Sequence, residues 1–181
     1  MEFQRILSLL IAAFEADEIR YALIGGFALV VHGVMRTTVD LDFLVHRDDL
    51  DRLDSIMSRI GYKLAFRTDD VSQFVAPTPD LGEVDFLHAF RDYSKEILAS
   101  AQTMDLAGLK LQVARPEDLI GLKVQAMAND QMRRSRELAD IESLLERYQG
   151  RVDWQRIKAY FELFDFRDDF KRVKEVYGPA H

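Results

Sequence analysis

Two aspartates interrupt the most strand-like segment of this sequence. Residues 38–45 read Thr-Val-Asp-Leu-Asp-Phe-Leu-Val, a period-2 pattern rich in β-branched and aromatic residues. Side chains two positions apart on a strand share a face, with Cα atoms roughly 6.5–7 Å apart, so Asp40 and Asp42 lie together. Val39, Leu41 and Phe43 take the opposite face and belong to the core. Because unpaired interior carboxylates cost on the order of several kcal/mol each, this strand predicts a partner that neutralises both acids.

A divalent metal ion is one partner that fits two neighbouring carboxylates. Hard Mg²⁺ prefers carboxylate oxygens together with substrate phosphate oxygens. The alternatives are a solvent-exposed face, or ion pairs with Arg36 and a second cation. For an isolated Asp-x-Asp these alternatives are the more common outcome, so a metal site needs further support from the sequence.

A third acid provides part of that support. Asp85 lies in the apolar segment 83–87, where Val84 and Phe86 are expected to face the core. Taken alone, it is as consistent with an ordinary solvent-facing residue as with a functional one. Glu83 is expected on the same face, so it is the alternative ligand.

A glycine pair provides the other part. Gly25-Gly26 follows the predicted strand 20–24 and precedes a predicted helix. Glycines at such a turn allow a phosphate to approach the backbone, and the N–H groups of the following helix attract an anion. A glycine pair most often only makes a tight turn, but together with the acids it predicts a phosphate cradle facing a metal held by carboxylates.

This arrangement resembles the minimal nucleotidyltransferases of the DNA polymerase β superfamily. The resemblance covers residues 24–45: a glycine pair, a helix, Arg36-Thr37-Thr38 as Arg-x-Thr, and Asp-x-Asp within a strand. It is most similar to the AbiEii-type branch, which includes toxins of toxin–antitoxin systems and in which Gly-Gly often replaces the Gly-Ser of the wider superfamily.

The resemblance implies a metal-dependent transfer of a nucleotidyl group from a nucleoside triphosphate to an acceptor hydroxyl, with release of pyrophosphate. It also implies two Mg²⁺ ions as cofactors, with Mn²⁺ as an alternative. The catalytic and metal-binding residues it implies are Asp40, Asp42 and Asp85. The nucleotide-binding residues it implies are Gly25, Gly26, Arg36, Thr38, Lys123 and Asp140.

The last two residues belong to a looser match in the C-terminal part. Lys123 falls on an apolar helix face, so its ammonium either extends to water or meets an anion. Asp140 follows the basic segment 133–136, and its alternative role is a surface pair with Arg136. Glu137 stands where the family usually has Asp. The three arginines of the basic segment are expected either to bind phosphate or to form a solvated helix start.

The pattern of elements predicts an α+β fold with a small mixed sheet, flanking helices and a C-terminal helical layer. We expect a nucleotidyltransferase core over residues 1–113 and a helical extension over residues 114–181 packed on it, with a single domain as the alternative. Helices are predicted near 6–14, 47–60, 93–101, 116–127, 131–148, 153–164 and 166–176.

Composition narrows the functional classes. The chain has 181 residues, 48% of them hydrophobic, and no cysteine, which excludes disulfide scaffolds, thiolate zinc sites and cysteine nucleophiles. Its net charge of −7 disfavours electrostatic binding of nucleic acid over a large part of the surface. The negative charge is concentrated in residues 37–92, which carry 6 basic and 12 acidic residues. No segment reaches the ~18–20 apolar residues of a membrane span, and the apolar run 6–14 lacks a cleavage site. We therefore expect a cytoplasmic protein with no membrane partner.

The identity of the acceptor stays open at this stage. A tRNA end, a protein side chain and a small alcohol are the alternatives, and a cognate antitoxin is an expected partner if the AbiEii resemblance extends to function. Two rival functions remain. A nucleotide-sugar glycosyltransferase also uses Asp-x-Asp, but it is generally larger and lacks the glycine-pair turn. A non-catalytic nucleotide- or partner-binding module of the same fold is the other.

Overall fold

One mixed sheet of seven strands organises the N-terminal part of the chain. The computed structural model describes residues 3–38, 40–78 and 81–179. The strand order is β3-β4-β5-β2-β1-β7-β6. The strands are β1 (Tyr21–Ile24), β2 (Leu41–His46), β3 (Lys63–Arg67), β4 (Val71–Val75), β5 (Glu83–Ala89), β6 (Gln102–Leu106) and β7 (Leu109–Val113).

The central strands are the ones that the sequence marks as apolar. β1 is buried at every position, and it pairs antiparallel with β2 and parallel with β7. β2 pairs parallel with β5 along its whole length, and β5 pairs antiparallel with β4. The strands next to the glycine turn and the three acids are therefore neighbours in the middle of the sheet.

Eight helices with these bounds complete the described chain. They are α1 (Phe3–Ala16), α2 (Gly25–Val31), α3 (Leu50–Arg59), α4 (Asp92–Ala99), α5 (Pro116–Asn129), α6 (Arg134–Tyr148), α7 (Trp154–Leu163) and α8 (Arg167–Tyr177). Short 3-10 turns precede α3 and α6.

An aromatic cluster fills the core beneath the central strands. Phe14 of α1 contacts Tyr21, Phe43 and Phe86 with ring centroids 5.1, 5.4 and 6.1 Å away. Phe14, Phe43 and Phe86 are fully buried. Burial of such rings stabilises the sheet by roughly 2–3 kcal/mol each, and it fixes which face of β2 and β5 looks inward.

The chain divides into two compact units. The first contains residues 1–31 and 36–114, which hold the sheet and α1–α4. The second contains residues 32–35 and 115–181, which hold α5–α8. In the second unit α5 packs on α6 and α7, around buried residues that include Ile141, Leu144 and Phe161. None of the helices in the described ranges is long and apolar enough to cross a membrane.

The predicted α+β class, with its mixed sheet, flanking helices and C-terminal helices, is confirmed. Two of the boundaries that differ from the sequence prediction have a local structural cause. The hairpin expected near 106–113 extends over 102–113, because Ala107 and Gly108 both adopt positive φ and turn the chain tightly between two paired strands. The strand expected from Thr38 begins at Leu41, so Asp40 lies one residue before β2.

Candidate active site

Asp42 and Asp85 lie side by side on the same face of the sheet. The parallel register of β2 and β5 pairs these two residues directly. Paired residues on neighbouring strands point to the same face, and the two backbones are about 4.8 Å apart. Both side chains are half-buried, whereas Leu41 and Phe43 on either side of Asp42 are fully buried on the opposite face. The alternation that the sequence predicts thus brings two acids from distant positions together.

Asp40 approaches the same place from the segment before β2. Its negative charge acts on Asp85 and raises the pKa of that carboxyl. The hydroxyl of Thr38 donates to the carbonyl of Asp40 at 3.3 Å, a local bond that engages this carbonyl just before the strand begins. Val39 lies outside the described residues. All three predicted carboxylates therefore belong to one end of the β2–β5 pair.

Asp85 has the electrostatics of a site that a cation would stabilise. Burial raises its pKa, the amide of Gln73 opposes that shift, and the charges of Asp40 and Glu83 raise the pKa further. Its Oδ1 atom is buried and has no hydrogen-bond partner among the described residues. A buried carboxylate oxygen without a donor is uncommon and calls for an explanation. A hard divalent cation would supply one, and the oxygen-only donor set of Asp40, Asp42 and Asp85 fits Mg²⁺.

The carboxylates are not already gathered around one point. Within the described part of the chain, no group of three or more His, Asp or Glu side chains has the arrangement of a formed metal site. Like charges oppose the closer approach of carboxylates in the absence of a cation. Metal binding at Asp40, Asp42 and Asp85 therefore stays a prediction.

Gly25 lies directly against the carboxylate of Asp42. Its φ is +67°, in the left-handed region, and a Cβ atom at this position would overlap the carboxylate of Asp42. Because β1 pairs Ile24 with Asp42, the chain turns into α2 next to the acid. Only glycine meets both the conformational and the steric requirement here.

Gly26 is enclosed by two of the other predicted nucleotide-binding residues. A Cβ atom on Gly26 would lie 2.8 Å from Oγ1 of Thr38 and 3.4 Å from Nε of Arg36. Both side chains are half-buried. The turn between β1 and α2 thus combines half-buried backbone, a hydroxyl and a guanidinium beside the carboxylates. These are the groups that hold phosphate oxygens in proteins.

Lys123 and Asp140 belong to the second unit, where they bind each other. The ammonium of Lys123 donates to Asp140 at 2.5 Å and to Glu137 at 2.8 Å. All three residues are buried, at 8%, 6% and 2% exposure. The ammonium of Lys123 therefore meets anions and does not extend to water, and these anions are protein carboxylates. Asp140 is therefore not an exposed surface residue, and a role for either residue in nucleotide binding stays a prediction.

One arginine of the basic segment joins this ion-pair system, and a second has a partner in α8. Arg133 donates to Glu137, and Arg134 donates to Asp169. Burial alone would raise the pKa of Glu137, but the charges and hydrogen bonds of Lys123 and Arg133 lower it below its ordinary value. Two of the three arginines thus have carboxylate partners within their unit, while Arg136 is exposed.

Gln73 is a site residue that the sequence analysis missed. The register of β4 and β5 places it directly opposite Asp85, on the face of the carboxylates. Its amide nitrogen donates to the carboxylate of Glu83 at 3.0 Å. Glu83, which the sequence offered as an alternative metal ligand, is exposed and is hydrogen-bonded to Gln73. In the sequence, Gln73 stands out only as a polar residue between Ser72 and Phe74 in a strand-like run. That pattern does not show that its strand pairs with the strand of Asp85.

The chain matches one family model over residues 1–170, described as "Uncharacterised nucleotidyltransferase". A search of curated protein sequences gives no match.

Several solved structures share the fold. A crystal structure of ANT(2")-Ia in complex with adenylyl-2"-tobramycin superposes with a TM-score of 0.69 at 13% identity, over 93% of this chain and 99% of that chain. An antigenic nucleotidyltransferase-like protein from Paracoccidioides brasiliensis gives 0.61 at 17% identity, over 99% and 94%. The lincosamide antibiotic adenylyltransferase LnuA, lincomycin-bound, gives 0.58 at 14% identity, over 80% and 96%. At these identities the likeness concerns the fold.

Proposed function

We propose that this chain, which belongs to the nucleotidyltransferase family that its residues 1–170 match, transfers a nucleoside monophosphate from a nucleoside triphosphate to an acceptor hydroxyl. The acceptor oxygen forms a bond to the α-phosphorus, and the bond from that phosphorus to the bridging oxygen of the β-phosphate breaks. Pyrophosphate leaves with the electron pair of the broken bond.

The observation that carries this proposal is the registered pair Asp42–Asp85 beside Gly25. A carboxylate pair packed against a glycine turn places negative ligands next to backbone that carries no side chain. Asp40, Asp42 and Asp85 would hold Mg²⁺, with two ions expected and Mn²⁺ as an alternative. When bound, magnesium neutralises phosphate charge and lowers the pKa of the acceptor hydroxyl.

The donor side of the site is assigned to the β1–α2 turn. Backbone N–H groups of Gly25 and Gly26, at the start of α2, would donate to phosphate oxygens. The guanidinium of Arg36 and the hydroxyl of Thr38, both beside Gly26, would add a charged and a neutral donor.

The acceptor proton is assigned to Asp85. General-base catalysis needs a group that is ionised in the free enzyme and basic enough to take a proton in the transition state. Before a cation binds, burial and the charge of Asp40 raise the pKa of Asp85. Proton transfer from the hydroxyl to Asp85, or to a water beside it, completes the balance of the reaction.

A narrower proposal places the chain in the AbiEii-type branch as the toxin of a toxin–antitoxin pair. The Gly25-Gly26 pair and the basic segment 133–136 support it through their resemblance to that branch. Induced expression should then arrest growth of the host, and Asp42→Asn should relieve the arrest. Normal growth with the wild-type chain, expressed at the same level, would contradict this assignment.

The second candidate function is a non-catalytic nucleotide- or partner-binding module. The observation that favours it is the burial of Lys123 between the carboxylates of Glu137 and Asp140. These carboxylates neutralise the ammonium charge of Lys123, which was expected to bind phosphate. A module of this kind would bind nucleotide without transferring it.

Transfer of label from α-³²P nucleoside triphosphates to RNA, protein or small alcohols in cell extract separates these functions. We expect Mg²⁺-dependent labelling by the wild type and at least a ~10²-fold loss in Asp42→Asn, because one anionic metal ligand is removed. Asp48→Asn is the matched control, since it removes the same charge from a side chain that is 76% exposed. Nucleotide binding without any labelled product would favour the module.

A further inference from the structure

A β-bulge in strand β3 decides which face Phe66 occupies. The register of β3 against β4 is Leu64 with Phe74, then Phe66 with Gln73, with a shift between Leu64 and Phe66. In a regular strand, residues 64 and 66 would share a face. The extra residue at Ala65 breaks that alternation, so Leu64 lies on the face of buried Phe74 and Phe66 lies on the face of Gln73.

Phe66 therefore stands in one row with the candidate active site. The aligned positions run Phe66 (β3), Gln73 (β4), Asp85 (β5) and Asp42 (β2), and each neighbour is a registered partner of the next. With strands about 4.8 Å apart, Phe66 is two strands, or roughly 10 Å, from Asp85. Phe66 is 54% exposed, although it is a large apolar side chain.

The order of this row separates a donor side from an acceptor side. The glycine turn lies beyond Asp42, on the β1 side of the carboxylates. If the triphosphate occupies that side, as the proposed function states, the acceptor approaches from the other side of Asp85. Gln73 and Phe66 are the next residues in that direction.

A lysine adds a charge to the same surface. Lys63 pairs with Val75, which shares the face of Gln73, and it is exposed. Among the residues that the structure describes, Lys63 has no carboxylate within ion-pair distance. An aromatic ring beside an unpaired cation is a combination that stacks a base and attracts its phosphate.

We propose that Phe66, Gln73 and Lys63 form the acceptor subsite, and that the acceptor carries a flat aromatic ring of the nucleoside kind next to its reactive hydroxyl. The ring stacks on Phe66, and Lys63 attracts a phosphate group. The amide oxygen of Gln73 accepts a hydrogen bond from the polar edge of the ring, while its amide nitrogen stays with the carboxylates. The subsite rests on the proposed function for its role in catalysis, but its binding of a ring can be measured without catalysis.

Tryptophan fluorescence tests the stacking directly. Phe66→Trp is titrated with adenosine while Mg²⁺ and a non-hydrolysable ATP analogue fill the donor side. We expect saturable quenching, because the adenine ring covers the new indole. Leu64→Trp is the matched control on the opposite face of the same strand, where the native side chain is 47% exposed, and the wild type with its single Trp154 gives the background. No quenching in Phe66→Trp, or equal quenching in both variants, overturns the subsite.

Transfer assays then test its role in the reaction. With a short single-stranded oligoribonucleotide and tobramycin as alternative acceptors, we expect the wild type to label the oligoribonucleotide in preference. Phe66→Ala should lower that labelling about tenfold, the order of one base stacked on one ring, and Leu64→Ala should leave it unchanged. Equal labelling by Phe66→Ala and the wild type would overturn the acceptor role while leaving the proposed function intact.

Two further outcomes complete the test. If the wild type labels no acceptor but adenosine quenches Phe66→Trp, the proposed function fails. The acceptor role of the subsite is then overturned with it, and only the binding of a ring at Phe66 is supported. If light scattering shows that the wild type is a dimer and Phe66→Ala a monomer, Phe66 is an interface between copies of the chain, which also overturns the subsite.

Discussion

At the scale of single residues, the site depends on the absence of a side chain at Gly25. The backbone there has positive φ, and the carboxylate of Asp42 occupies the space that a Cβ would fill. A glycine in this position leaves the carboxylate of Asp42 undisturbed. The requirement for glycine at position 25 is therefore steric as well as conformational.

Gly25→Ala should consequently affect activity more than stability. We expect a cost of about 1–2 kcal/mol from the left-handed conformation and at least a tenfold loss of nucleotidyl transfer from the displaced Asp42. Urea denaturation and the transfer assay measure the two effects. Gly108→Ala is the matched control, because Gly108 has φ +88° and open space around it. It should show the same conformational cost with full activity, and equal activity losses in both variants would contradict the role of Gly25.

The sequence allowed Asp40, Asp42 and Asp85 to be selected as candidates, because each acid interrupts an apolar alternating run. It did not allow Gln73 or Phe66 to be selected. Their position depends on the pairing of β3, β4 and β5 and on a bulge at Ala65. The register between two strands cannot be predicted from the local sequence pattern of either strand, because it is set by pairing between distant segments of the chain.

At the scale of elements, a buried carboxylate connects the start of β1 to the start of α3. Asp49 is 1% exposed and accepts hydrogen bonds from the backbone and guanidinium of Arg20 and from Arg52. Burial alone would raise its pKa, but the hydrogen bonds and charges of the two arginines lower it to about 2.

This shift predicts how stability depends on pH. A carboxyl whose pKa is depressed in the folded state contributes stability above its ordinary value of 3.8, and the contribution is lost as the pH falls towards about 2. Asp49→Asn should lower the free energy of unfolding by about 2 kcal/mol at pH 7, and the difference should vanish near pH 2. Urea denaturation between pH 7 and pH 2.5 measures it, with exposed Asp48→Asn as control. A difference that is independent of pH would contradict the assignment.

The ion-pair cluster of Lys123, Glu137 and Asp140 joins α5 to α6. Removing one partner of a buried pair leaves an uncompensated charge, so Lys123→Met should lower the free energy of unfolding by about 3–5 kcal/mol. The triple variant Lys123→Met, Glu137→Gln, Asp140→Asn removes all three charges and should recover most of that loss. Urea denaturation compares them, and a triple variant as unstable as the single one would contradict this account.

The same triple variant tests the predicted nucleotide-binding role of Lys123. A KM for the nucleoside triphosphate that rises at least tenfold in the stable triple variant would support it. An unchanged KM would leave the cluster a structural connection between the two helices.

Helices and strands were predictable where one periodicity dominates. The amphipathic α1 and α3 follow from apolar positions three and four apart, and α5 begins at Pro116 as its sequence indicates. The start of β2 was not predictable, because Thr38 has strand propensity yet its hydroxyl bonds the carbonyl of Asp40. Local side-chain bonds of this kind compete with the ladder, and propensity does not report them.

At the scale of the whole molecule, the two units divide the predicted residues. The first unit holds the glycine turn, Arg36, Thr38 and the three carboxylates, and the second holds Lys123 and Asp140. The acidic middle of the sequence, residues 37–92, lies wholly within the first unit and contains all three carboxylates. Surplus negative charge attracts divalent cations, and bound cations would in turn compensate the charge of a triphosphate.

Titration with Mn²⁺, followed by electron paramagnetic resonance in the presence of a non-hydrolysable ATP analogue, tests the central claim most directly. If Asp42 and Asp85 hold metal together, the wild type and Asp48→Asn will bind Mn²⁺ with the same affinity. Asp42→Asn and Asp85→Asn will each bind it at least about tenfold more weakly, because each loses an anionic ligand. Equal Mn²⁺ affinity in all four proteins would contradict a metal site between β2 and β5.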